Sequence, residues 1–256
     1  MRKNTVKEQL ASGGISVGTM IFEFNSTGIG HLAGEAGADF VIYDMEHTGW
    51  SIETIRELIA TSRASKAISM VRVPATQYHL ISRPLDVGAL GIMVPMVESV
   101  EQARLIAQSA KYAPDGARGA AFTLAHDNYE GGTVPDKMAD ANRETFVIAQ
   151  IETAQGVESC EAIAAVDGID CLWVGHFDLS ISMGIPGQFD HPDFIAAITR
   201  VAQAAESRGK TAGVMVSDLE NGAFWKGLGY RAFAYSGDLW LYMAALQAGV
   251  QGMKGL

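Results

Sequence analysis

The hydrophobic pattern repeats along the chain: a short apolar, β-branched run, then a longer segment with helical spacing. The runs that read as strands are Val17–Phe22, Phe40–Tyr43, Ile68–Val73, Leu90–Pro95, Phe146–Ile151, Cys171–Val174, Gly213–Val216 and Ala232–Tyr235. They are mostly continuous rather than alternating, as expected of parallel strands buried on both faces. The clearest helical segments are Ile52–Arg63, Val100–Lys111, Val157–Val166 and Phe194–Ser207. Capping residues stand at the expected starts: Asn25, Ser26 or Thr27 before the first helix, Ser51 before the second, Ser217 or Asp218 before the seventh.

Eight such units in 256 residues predict one α/β domain, a (β/α)8 TIM barrel spanning the chain. The competing arrangement, a doubly wound open sheet, usually holds fewer strands. Residues 113–143 break the rhythm, and their Gly, Asp, Asn and Pro content reads as a long functional or mobile loop.

Composition narrows the classes. A net charge of −10 argues against nucleic acid as a partner, because phosphate binding needs a basic surface. The two cysteines, Cys160 and Cys171, form no CxxC pair and no disulfide scaffold. No apolar run approaches the length of a membrane span, so no membrane partner is expected. Arg2, Lys3 and Lys7 lead into Glu8 and Gln9 rather than an apolar core, so no secretory signal is expected. The expectation is a soluble cytoplasmic protein.

Two motif look-alikes fail on context. Gly28–Ala33 matches the dinucleotide pattern GxGxxA, with Asp44 at the end of the next strand, but Glu23–Thr27 intervene where the first glycine must follow the strand directly. Gly14–Gly18 matches GxSxG, yet Ser16 opens the first strand instead of sitting on the turn after one.

In a barrel, chemistry sits where strands finish. Glu23 ends the first, Asp44-Met45-Glu46-His47 the second, Arg72 lies near the end of the third, Gln150-Ile151-Glu152 ends the fifth and Gly175-His176-Phe177-Asp178 the sixth. Each has a plain alternative: Asp178 as a helix cap, His47 as a satisfied histidine, Arg72 as an ion-pair partner of Asp86 or Glu98. Jointly the plain account needs five coincidences on one rim. Glu152 and Asp178, on adjacent strands, suit a hard divalent ion such as Mg²⁺ or Mn²⁺. A histidine supplies a base and an arginine fixed positive charge for a developing oxyanion. That combination serves enolate chemistry beside a carbonyl. No lysine falls at a strand end, which disfavours a Schiff-base aldolase.

Tyr43–His47, Val71–Pro74, Leu85–Ala89, Val94–Glu98, Gln150–Thr153 and Gly175–Leu179 together resemble the HpcH/HpaI aldolases, metal-dependent class II pyruvate aldolases of the phosphoenolpyruvate/pyruvate barrel superfamily. The resemblance runs from about Gly18 to Val250. It implies Glu152 and Asp178 as metal ligands, for Mg²⁺ or Mn²⁺ with Co²⁺ or Zn²⁺ as substitutes. It implies His47 as the base, directly or through a metal-bound water, with Asp86 as its acidic partner and Asp44 close by. Arg72 would stabilise enolate and aldol oxyanions. Gln150, Phe177, Asp178 and Val216 would contact or flank the substrate, with backbone N–H groups near Phe177 and Asp178 holding its carboxylate. The implied activity cleaves or forms 4-hydroxy-2-oxo acids from pyruvate, or a close 2-oxo acid, and an aldehyde.

A homo-oligomer, hexamer or trimer, is also implied, with a helix over 239–248 exchanged between subunits. The chain departs from many relatives at His176-Phe177, and in reading Ile21-Phe22-Glu23-Phe24 where tryptophan is common. His126 and Tyr129, in the long segment, are either acceptor contacts or solvated loop residues. Rival readings are a lyase on an acyl-CoA, with Arg118 and Arg143 as its basic residues, or on a 2-oxo dicarboxylic acid, a non-catalytic oxo-acid binding protein, and a nicotinamide-dependent oxidoreductase.

Overall fold

The computed structural model describes all 256 residues. Eight parallel strands close into a barrel in sequence order: β1 (Ser16–Ile21), β2 (Phe40–Asp44), β3 (Ile68–Arg72), β4 (Gly91–Val94), β5 (Phe146–Ile151), β6 (Cys171–Val174), β7 (Thr211–Val216) and β8 (Ala232–Gly237). The (β/α)8 architecture read from the sequence is therefore the observed one. Helices α2 (Ile29–Glu35), α3 (Ile52–Ser62), α4 (Tyr78–Asp86), α5 (Val100–Ala110), α9 (His176–Ser182), α10 (Pro192–Glu206) and α11 (Leu219–Gly227) run along the outside.

Two cores follow from the strand period of two. One face of each strand meets the helices in a 44-residue cluster. The other fills the barrel with a 15-residue cluster that includes Phe40, Ile42, Ile68, Met70, Phe146 and Ile148. A short helix not foreseen from the sequence, α1 (Thr5–Ala11), adds Val6 and Leu10 to this interior and covers the end where strands begin. The same two-residue step carries each strand upward to a polar layer. Above Phe40 and Ile42 comes Asp44, above Ile68 and Met70 comes Arg72, and above Phe146 and Ile148 come Gln150 and then Glu152. Register places Asp44 directly opposite Arg72.

Several local expectations are corrected. The segment 113–143 is not all loop: it holds a 3-10 turn (Ala125–Asp127) and α6 (Val134–Glu144), which Thr133 caps from its side chain and Pro135 opens. Val157–Val166 is two short helices, α7 (Ala154–Glu158) and α8 (Cys160–Ala164). The first barrel helix has Gly28 at its cap position with no side-chain cap, so Asn25, Ser26 and Thr27 do not serve. Ser51 and Asp218 do cap their helices.

The C-terminal helix α12 runs Asp238–Lys254, longer than expected. Its apolar side chains stand out of the fold: Tyr242 is 56% exposed, Met243 58%, Leu246 50% and Met253 71%. Beside its first turns an apolar groove of about 550 Å³ opens between β1 and α2, lined among others by Val17, Ile21, Leu32 and Leu241. No helix is long and apolar enough to cross a membrane.

Candidate active site

Asp44 organises the rim. It is fully buried, and its Oδ1 accepts from Arg72 Nε at 2.7 Å and from the Glu46 N–H at 3.1 Å. Its Oδ2 accepts from the His47 N–H at 3.0 Å, and its carbonyl accepts from Thr48 Oγ1 at 2.5 Å. With both oxygens engaged below the surface, Asp44 holds the turn 44–48 and aims Arg72 instead of meeting a ligand itself.

Arg72 pairs with Asp44 and, at 3.3 Å, with Glu46 Oε2, rather than with Asp86 or Glu98. Only Nε is engaged; the terminal nitrogens make no hydrogen bond to the protein. The Phe22 ring lies 5.7 Å from the guanidinium carbon. His47 stands at the mouth with its side chain 58% exposed and Nε2 3.7 Å from Glu46 Oε2. Glu46, not singled out from the sequence as a site residue, is thus the acid beside both His47 and Arg72. The two-residue step from Asp44 was the available signal.

Glu152 is buried, its Oε1 accepting from the Met96 N–H at 2.7 Å and its Oε2 from Gln150 Nε2. Met96 donates from a left-handed backbone conformation, φ 54°, an uncommon arrangement for a non-glycine residue. Gly175 is needed here because any side chain would collide with Glu152 Oε2. Asp178 lies in the first turn of α9, and the N–H groups of Phe177 and Asp178 have no protein acceptor. Phe177 is 57% exposed and its ring sits 4.6 Å from that of His176. Val216 is buried at the end of β7, lining an apolar cleft together with His176, Phe177 and Trp225.

The carboxylates are crowded. Burial pushes Glu46 up to about 7 against the pull of Arg72, with Asp44 and Asp178 adding to the rise. Burial likewise raises Glu152 to about 7; the Met96 N–H opposes it and Glu46 and Asp178 add to it. His176, lowered to about 4 mainly by burial, is neutral near pH 7 and gives them no compensating charge. Carboxyls raised this way ionise more readily beside a bound cation. No three His, Cys, Asp or Glu side chains converge on one point. What the chain offers is two carboxylates, Glu152 and Asp178, with Glu46 Oε2 and Gln150 Oε1 buried and lacking hydrogen bonds. An all-oxygen set with open positions fits a hard divalent ion that keeps water or substrate in its shell.

Asp86 is elsewhere. It ends α4, five residues before β4 begins, whereas His47 follows the end of β2, so in one chain they lie at opposite ends of the barrel. Its carboxylate instead bonds Arg118 Nη2 at 2.5 Å. The expectation that it orients His47 does not hold within a single chain. His126 is buried, with Nε2 2.7 Å from the Ala121 carbonyl oxygen, and Tyr129 lies under the Arg63 guanidinium; both belong to this second region rather than to the rim.

A parallel eight-stranded barrel gathers acids, an arginine and a histidine where its strands end, the face on which enzymes of this fold carry their chemistry. The chain belongs to the HpcH/HpaI aldolase/citrate lyase family, which it matches over residues 24–243. It is 32% identical over 244 residues to the 5-keto-4-deoxy-D-glucarate aldolase of Klebsiella pneumoniae, covering 95% of this chain and 94% of that one. It is 33% identical over 215 residues to the hydroxypyruvate/pyruvate aldolase of Roseobacter denitrificans, 84% of this chain and 83% of the other. The crystal structure of an HpcH/HpaI aldolase from Desulfitobacterium hafniense superposes with a TM-score of 0.93 at 31% identity, covering 98% and 97% of the two chains.

Proposed function

We propose that the protein is a divalent-metal-dependent aldolase that cleaves or forms 4-hydroxy-2-oxo acids through the enolate of pyruvate or a close 2-oxo acid. The observation that carries this reading is the crowding of carboxyls at the rim, where Glu46 and Glu152 are both pushed up to about 7, beside an Arg72 engaged through Nε alone. Glu152 and Asp178 would hold Mg²⁺ or Mn²⁺, with Co²⁺ or Zn²⁺ as substitutes, and the ion supplies the Lewis acidity that makes methyl protons beside a keto group removable near neutral pH.

The chain's own groups supply the rest. Gln150 steadies Glu152. The free N–H groups of Phe177 and Asp178 receive the substrate carboxylate, and Val216 lies on the apolar side. His47 takes the methyl proton in the forming direction, or the 4-hydroxyl proton in cleavage. Arg72, aimed by Asp44, stabilises the oxyanion that develops as the bond forms or breaks. Donors as small as pyruvate and hydroxypyruvate agree with the name of the Roseobacter relative.

The acyl-CoA alternative loses its two basic residues, since Arg118 is buried against Asp86 and Arg143 bonds Asp140 and Glu144. We read the exposed apolar α12, with the groove beside β1 and α2, as the elements of a homo-oligomer that exchanges this helix. Cytoplasmic residence is part of the same reading, where Cys160 and Cys171, both buried and free, stay reduced.

The test is exchange of the pyruvate methyl protons for deuterons in D₂O, followed by NMR, with Mg²⁺ and then with chelator. Exchange that needs both protein and metal is the expected result. Silence with Mg²⁺, Mn²⁺, Co²⁺ and Zn²⁺, on both pyruvate and hydroxypyruvate, overturns the reading.

A further inference from the structure

Next to His47 a cavity of about 650 Å³ opens, lined by Phe22, Glu23, Trp50, Leu239 and Trp240 besides the 47–49 turn. It adjoins the reacting groups, because Phe22 is also the ring beneath Arg72. Its walls are built into the fold. Phe22 and Trp240 meet edge to face with centroids 5.1 Å apart, and any side chain at Gly237 would come within 2.9 Å of both rings. Asp238 fixes the loop that carries Phe22 by accepting from the N–H groups of Phe22, Glu23 and Phe24 at 2.7–3.0 Å. Trp240 also borders the second cleft, of about 870 Å³, whose opening carries the exposed ring of Phe177.

Charge sharpens the picture. The cavity contains no lysine or arginine, and Glu23 is its one carboxylate. A bound aldehyde bearing its own carboxylate or phosphate would meet aromatic faces and a like charge. A flat neutral ring would instead gain edge or face contacts with Phe22, Trp50 and Trp240.

We propose that this chamber is the acceptor subsite and that it selects an uncharged aromatic aldehyde over an anionic one. The proposal rests on the aldolase reading above and names its substrate class. In the forming direction, the pyruvate methyl carbon joins the aldehyde carbon, and the proton lost from the methyl group is balanced by one gained at the new hydroxyl. Nothing else is consumed. The product is a 4-aryl-4-hydroxy-2-oxo acid, and cleavage is the reverse.

The experiment uses the full chain with Mg²⁺ and pyruvate and compares kcat/KM for benzaldehyde and succinic semialdehyde. Methyl exchange without any acceptor is measured in parallel. Benzaldehyde is expected to be preferred by roughly tenfold or more, the scale of a good aromatic contact. Trp240→Ala is expected to remove most of that preference. Glu23→Lys, at an exposed position, is expected to raise use of succinic semialdehyde severalfold. Exchange combined with a preference for succinic semialdehyde, or with a ratio that neither variant moves, overturns the aromatic subsite while leaving the enolate reading intact. Absence of exchange overturns both.

Discussion

The two ends of the barrel handle buried charge in opposite ways. Where strands finish, Arg72 is the one cation paired with the acids, meeting Asp44 and Glu46, while Glu152 has none, and Glu46 and Glu152 are pushed up to about 7. Toward the other end acids have cations of their own: Asp86 with Arg118 at 2.5 Å, Asp127 with Lys137 at 2.6 Å, Asp170 with Lys7 at 3.0 Å. Asp127 is held below the usual carboxylate range by Lys137 and the Thr123 N–H, which together outweigh its burial. Paired charges fasten segments together; unpaired ones of a single sign leave work for a ligand. On the proposed reading, the contrast separates residues that carry chemistry from residues that carry structure.

The hardest blow to that contrast comes at the surplus end. Glu152→Ala or Asp178→Ala is expected to abolish metal-dependent methyl exchange with the fold intact by circular dichroism; full exchange in either variant breaks the assignment. Arg72→Lys keeps the charge but loses the planar fork. It should cut turnover roughly a hundredfold while changing metal affinity, read by titration calorimetry, much less.

At the balanced end the currency is stability. Asp127→Ala strands Lys137 and removes acceptors from two backbone N–H groups, so it should cost about 3 kcal/mol and lower Tm by several degrees. Methyl exchange in the surviving folded fraction should be normal. Lys111 offers the finest test. Its ammonium is buried between the carbonyls of Asn142 and Thr145, and burial lowers it to about 7. The unfolded chain then binds more protons between about pH 7 and the ordinary lysine value of 10.5, so stability should rise with pH across that window. Lys111→Met should flatten this rise and change stability little near pH 7; an unchanged slope in denaturant titrations would count against the assignment.

How legible all this was depends on the kind of signal. Each strand could be placed within a residue or two, because β2 through β6 are buried on both faces and so spell unbroken apolar runs. Asp44, Arg72, Gln150 and Glu152 stood out as polar ends of those runs. Helix α6 was hidden by loop-like composition, although Thr133 and Pro135 marked its start. Asp86 drew attention as part of a motif, yet a helix leaving a strand runs back down the barrel and carries its last residues away from the rim. The apolar face of α12 needs a neighbour that a single chain's spacing does not describe.

The hydrogen bonds of Asp238 carry one further consequence. The first residue of the last helix ties down the loop after the first strand, more than two hundred positions earlier in the sequence. On a ribosome, synthesis proceeds from the N-terminus, so the Phe22 wall of the mouth stays untethered until the final strand and the start of α12 have emerged. A chain that has not yet reached Asp238 thus lacks the tie that fixes its mouth.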